Sequence, residues 1–96
     1  MALVMVIEDE EALALLLKYN LEKEGYEVVW EPRGNKALAE IEKHCPSVIL
    51  LDWMLPEMSG VEICKLIRSK PDIKNIPVIM LTAKARKKTK SGGFPP

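Results

Sequence analysis

The run Val48-Ile-Leu-Leu-Asp52, followed by Trp53-Met-Leu-Pro-Glu-Met-Ser-Gly60, constrains the fold more than any other stretch. Four consecutive aliphatic residues show no alternation, so the strand they form is buried on both faces, the condition of an inner strand in a parallel sheet. Pro56 and Gly60 supply the turn signals that close it. The strand delivers one carboxylate, Asp52, to its C-terminal end. That is the side on which open α/β sheets bind ligands.

The rest of the chain repeats the plan. Leu3–Ile7 is a second short aliphatic run, and it ends in Glu8-Asp9-Glu10-Glu11. Residues 10–24 predict a helix, with Leu13, Leu16, Leu17 and Leu21 on the inward stripe, Ala12 and Tyr19 beside it, and Gly25 at its end. Acids favour a helix N-terminus, with Asp9 as a cap and Glu10 and Glu11 in the first turn. That accounts for Glu10 and Glu11 better than for Glu8 and Asp9, which lie at the strand end. Tyr26–Trp30 predicts an edge strand with Trp30 as a surface aromatic, broken by Pro32-Arg33-Gly34-Asn35. A helix over Lys36–Lys43 follows, with Ala37, Leu38 and Ile41 inward. The single histidine, His44, is expected as a solvated helix-end residue near the negative end of the dipole. Gly60–Ser69 predicts a third helix, capped by Ser59, with Val61, Cys64, Leu66 and Ile67 inward. Asp72–Asn75 reads as a polar link to a strand at Val78–Leu81, which runs into Thr82-Ala83.

Strands alternating with helices imply a parallel sheet with right-handed crossovers, and 96 residues allow one domain. The first and third strands are the most apolar and therefore central, which predicts the order 2-1-3-4 and a topological switch between strands 1 and 3. Glu8, Asp9 and Asp52 become neighbours there. Three carboxylates in one crevice need a cation or shared protons. Hard oxygen ligands with an open face suit Mg²⁺, and Thr82 would add a hydroxyl on the same rim. A carboxylate nucleophile, a Mg²⁺ ion and a hydroxyl donor together describe an acyl-phosphate site. The plainer alternative is a capping acid plus a strand-end aspartate in a turn.

Charge divides the chain. Residues 1–83 hold all 14 acidic residues and nine of the 14 basic ones. Lys84, Arg86, Lys87, Lys88 and Lys90 follow. A basic run without interleaved aromatics is weak support for nucleic acid, so no direct nucleic-acid contact is expected. Cys45 and Cys64 form no metal or redox motif and predict reduced, partly buried thiols in a cytoplasmic protein. The first apolar run is too short for a signal peptide or a membrane span.

Three motifs then meet in order: Glu8-Asp9-Glu10; Leu50-Leu51-Asp52-Trp53-Met54-Leu55-Pro56 with Gly60; and Ile76-Pro77-Val78-Ile79-Met80-Leu81-Thr82-Ala83. Over residues 3–84 the chain resembles a response-regulator receiver domain of two-component signalling, closest to the OmpR/PhoB group. The resemblance implies a flavodoxin-like three-layer α/β sandwich. It implies Asp52 as phosphoacceptor, Thr82 as a phosphoryl contact, and Mg²⁺ held by Asp9, Asp52, the Met54 carbonyl and, through water, Glu8. It also implies a sensor histidine kinase as the phosphoryl donor.

The resemblance stops after residue 84. A fourth helix, a fifth strand with its lysine and aromatic, and a fifth helix have no counterpart, and residues 85–96 read as a basic, flexible, non-family tail, a non-native end such as a change of reading frame or a truncation would leave. On that reading the chain is a C-terminally truncated receiver domain with weakened phosphotransfer. The fourth strand becomes an exposed edge through which the chain is expected to self-associate. The competing function is a non-catalytic self-associating interaction module. A phosphatase with an aspartyl nucleophile is disfavoured, because Met54 stands where such enzymes carry a second aspartate.

Overall fold

The computed structural model describes residues 2–81; Thr82 and the predicted tail at 85–96 lie outside the described residues. The elements run β1 (Leu3–Ile7), α1 (Glu11–Lys23), β2 (Glu27–Glu31), α2 (Gly34–His44), β3 (Val48–Asp52), α3 (Gly60–Arg68) and β4 (Val78–Leu81). The four strands form one parallel sheet in the order β2-β1-β3-β4, as the sequence predicts.

Alternation along the two central strands builds two cores. Met5, Ile7, Ile49 and Leu51 pack with Ala37 and Ile41 of α2 and Ile63 and Ile67 of α3. Val4 and Val6 pack on the opposite face with Ala14 of α1, flanked by Leu17, Leu21, Val28, Trp30, Val48 and Leu50. Helices therefore cover both faces, and the inner strands have no polar side to show. That is the physical reason for their unbroken apolar runs. No helix among the described residues is long and apolar enough to cross a membrane.

Several local expectations are corrected. In α1 the fully buried residue is Ala14, while Leu16 and Tyr19 are 57% and 63% exposed. The helix carries leucine on several sides, so periodicity alone does not select the inward face. In α3, Ile63 and Ile67 are buried, whereas Val61 and Leu66 are exposed. The link before β4 is not purely polar, because Ile73 is buried in the larger core. Cys45 is an exposed free thiol in left-handed conformation (φ 46°), and Cys64 is half-buried. His44 lies in the last turn of α2, half-exposed, with Nε2 at 3.2 Å from Glu40 Oε1.

Helix ends show which caps are local. Ser59 Oγ accepts the Glu62 N–H at 3.1 Å, as expected. Gly25 follows α1 with φ 96°, the conformation that favours glycine after a helix. α2 starts at Gly34, two residues before the predicted start, because the Gly34 N–H donates to Glu57 Oε1 at 3.2 Å. The acceptor for that helix terminus is 23 residues away, on the loop after Asp52.

Candidate functional site

The C-terminal ends of β1 and β3 lie side by side, with Ile7 in register with Leu51. Glu8 and Asp52 are therefore the next pair along the two strands. One carboxylate oxygen each of Glu8, Asp9 and Asp52 lies within 4.8 Å of the other two. Glu8 and Asp52 are fully buried and Asp9 is half-buried.

Main-chain geometry aims these groups. The Met54 N–H donates to Asp52 Oδ1 at 3.2 Å, so the loop after β3 turns back over the carboxylate. The Gly60 N–H donates to the Trp53 carbonyl at 2.7 Å and closes that loop onto the start of α3. On the other side, Glu8 Oε2 accepts the Glu10 N–H at 2.8 Å. This corrects the expected role of Asp9. The residue capping α1 is Glu10, without a side-chain cap bond, and its N–H is taken by the Glu8 carboxylate. Asp9 remains with Glu8 and Asp52 in the acidic cluster.

Trp30 corrects a second expectation. It is half-buried, and its indole N–H donates to the Glu8 main-chain carbonyl at 2.7 Å. Neighbouring Glu31 is buried at the end of β2, where Oε2 accepts the Arg33 main-chain N–H at 2.8 Å and Arg33 Nε–H at 3.1 Å. The sequence signal for Trp30 was the period-two parity it shares with Val28, which puts both on the α1 face.

At 4.8 Å, two ionised carboxylates repel by about 3 kcal/mol at an effective dielectric near 20. The oxygen-only donor set, mostly buried, has the hardness and charge that a small divalent cation requires. Met54 is held at the site through its N–H. Leu81, the last described residue, is the register partner of Asp52.

A doubly wound parallel sheet with carboxylates gathered at its β1/β3 switch point defines an α/β domain built around an acidic crevice. The family model of the response regulator receiver domain matches residues 4–94, and the chain belongs to that family. It is therefore a receiver domain of two-component response regulators, a signalling domain, with relatives in the OmpR/PhoB group. It is 44% identical over 91 residues to the phosphate regulon transcriptional regulatory protein PhoB of Rhizobium meliloti, covering 95% of this chain and 40% of that protein. It is 43% identical to the alkaline phosphatase synthesis transcriptional regulatory protein PhoP of Bacillus subtilis, covering 84% of this chain and 33% of that one. The chain thus spans well under half the length of these relatives. The N-terminal domain of a response regulator receiver protein from Methanoculleus marisnigri superimposes with a TM-score of 0.83 at 28% identity, covering 98% of this chain and 79% of that one.

Proposed function

We propose that this receiver domain accepts a phosphoryl group on Asp52 from a phosphohistidine of a sensor histidine kinase. The observation that carries the reading is the gathering of Glu8, Asp9 and Asp52 within 4.8 Å at the ends of the two central strands. An Asp52 carboxylate oxygen attacks phosphorus, the phosphorus–nitrogen bond breaks, and the electron pair leaves with the imidazole, which takes up a proton. The product is an acyl phosphate on Asp52. Glu8, Asp9, Asp52 and the Met54 carbonyl would hold Mg²⁺, which supplies charge neutralisation for the incoming phosphoryl oxygens. Glu8 contributes buried negative charge fixed by the Glu10 N–H. Met54 holds Asp52 through its N–H, which limits the carboxylate's rotation before attack. Thr82, outside the described residues, is assigned the phosphoryl contact on family resemblance. In this reading the chain works in the cytoplasm as the input half of a transcription regulator.

Incubation with Mg²⁺ and a small acyl-phosphate or phosphoramidate donor tests the proposal. Intact mass should show one added phosphoryl group in the wild type and none in Asp52→Ala. Addition that persists in Asp52→Ala would place the acceptor elsewhere.

A second reading, self-association through β4, is favoured by one observation. Among the described residues β4 pairs only with β3, and Ile79 on it is 53% exposed. An exposed apolar edge strand invites pairing with another chain. Light scattering is expected to report a dimer that persists in Asp52→Ala and without Mg²⁺. A 10.8 kDa species at all concentrations would remove this reading.

A further inference from the structure

We propose that Trp30 is a positioning residue of the acidic site: its indole N–H holds the main chain that carries Glu8 and Asp9, and thereby sets the affinity for a divalent cation without touching the ion. The inference rests on the metal-binding reading of the cluster and adds to it a residue on the edge strand.

The β1–β2 ladder ends at the pair Ile7–Glu31. Beyond it the Glu8 N–H reaches the Glu31 carbonyl only at 3.3 Å, a long bond for a strand end. The Glu8 carbonyl is met instead by Trp30, whose indole N–H donates at 2.7 Å across 22 residues of sequence. The body of the Trp30 ring packs against the core of Val4, Val6 and Ala14. A ring packed on one side and bonded at its tip has little freedom left. The Glu8 carboxylate is oriented separately, by the Glu10 N–H at 2.8 Å. The Trp30 bond acts on a different part of the segment, the peptide after Glu8, and that peptide also carries Asp9.

This position is under load. Three carboxylates within 4.8 Å push one another apart when no cation is bound. Asp52 is anchored in the sheet through β3 and opposed by the Met54 N–H. Glu8 and Asp9 lie past the end of β1, where the ladder weakens, so the load falls on their loop. The Trp30 bond opposes that displacement. Groups that orient ligands from outside the coordination sphere commonly change metal affinity by about 10–100-fold when removed.

Trp30→Phe retains an aromatic ring on the core and deletes the donor. Mg²⁺ affinity by calorimetry should weaken about 10-fold, while the urea midpoint in EDTA changes little. A purely structural tryptophan would give the opposite pattern, a lowered midpoint and an unchanged dissociation constant. Wild-type protein that binds no Mg²⁺ would overturn the metal reading and this inference together. Wild-type binding with an unchanged constant in Trp30→Phe would overturn this inference alone. Should Trp30→Phe fail to fold, the unmodified site is read directly. In ¹⁵N-labelled protein, with Trp53→Phe used to assign the two indoles, the Trp30 indole N–H should exchange slowly and shift with the calorimetric Mg²⁺ midpoint. A Trp30 indole that exchanges as fast as that of exposed Trp53, or ignores Mg²⁺, would overturn it.

Discussion

Replacing Asp52 with asparagine should raise the melting temperature of the metal-free protein and abolish its stabilisation by Mg²⁺. The two effects have one cause. Asp52 is fully buried and shares a crevice with the carboxylates of Glu8 and Asp9 within 4.8 Å. Asparagine has nearly the same shape and retains an oxygen for the Met54 N–H, which donates to Asp52 Oδ1 at 3.2 Å. The substitution removes the charge and keeps that bond. Two of the three repulsive pairs disappear, each about 3 kcal/mol when both groups are ionised at an effective dielectric near 20. Solvent screening at half-buried Asp9 and relaxation of the side chains reduce the net gain to about 1–2 kcal/mol. For a domain of this size 1 kcal/mol corresponds to roughly 4–8 °C. Thermal unfolding followed by circular dichroism, in EDTA and in excess Mg²⁺, measures both arms. Wild type should gain stability with Mg²⁺ by mass action, and Asp52→Asn should not. A lower melting temperature for Asp52→Asn in EDTA would show that Asp52 is a net stabilising group, held by donors that outweigh the repulsion.

The parts of this site that were legible in the sequence are those whose cause is local. β1 and β3 are buried on both faces, so their runs carry no polar interruption until the carboxylate that ends each one. Asp52 and the Glu8-Asp9 pair are visible for that reason, and the strand order brings them together. Trp30 is not legible in this way, because an edge strand has weak alternation and because its acceptor, the Glu8 carbonyl, is supplied by pairing rather than by neighbours in sequence. The start of α2 is hidden for a related reason. Gly34-Asn35 looks like a breaker until Glu57 brings a carboxylate to the Gly34 N–H. In α1 and α3 the existence of the helices was readable but their orientation was not. Leucines lie on several sides of α1 and aliphatic residues on several sides of α3, and the contacting residues are chosen by fit: small Ala14 over the sheet, Ile63 and Ile67 rather than Val61 and Leu66. Family resemblance implies roles for these carboxylates, but it carries no information about an indole contributed by β2.

Gly60→Ala is expected to damage both stability and metal binding, although glycine here is not needed for an unusual φ. Gly60 is buried where α3 begins, and its N–H donates to the Trp53 carbonyl at 2.7 Å. A methyl group at this position would overlap the Asp52 main-chain carbonyl and come to 3.0 Å from the Trp53 Cα and 3.1 Å from the Met80 Cε. Met80 can swing its terminal methyl away, but the two backbone atoms cannot move without moving the end of β3. The relief of overlap must either tilt the peptide that carries Asp52 or lift the first turn of α3. Overpacking of this kind destabilises by about 1–3 kcal/mol. Because the displaced peptide is that of Asp52, Mg²⁺ affinity should fall as well, by at least about 10-fold if the shift resembles the loss of an orienting group. Gly25→Ala separates the two consequences. Gly25 has φ 96° and nothing within 4 Å of an added Cβ, so alanine there is destabilising through its backbone conformation alone, by about 1–2 kcal/mol. Both variants should unfold at lower urea than wild type, yet only Gly60→Ala should require more Mg²⁺ to reach saturation. If Gly60→Ala bound Mg²⁺ as tightly as wild type, the close approach of α3 to the Asp52 peptide would be a packing feature with no hold on the site. The role of that approach in fixing the Asp52 carboxylate from behind would then have to be given up.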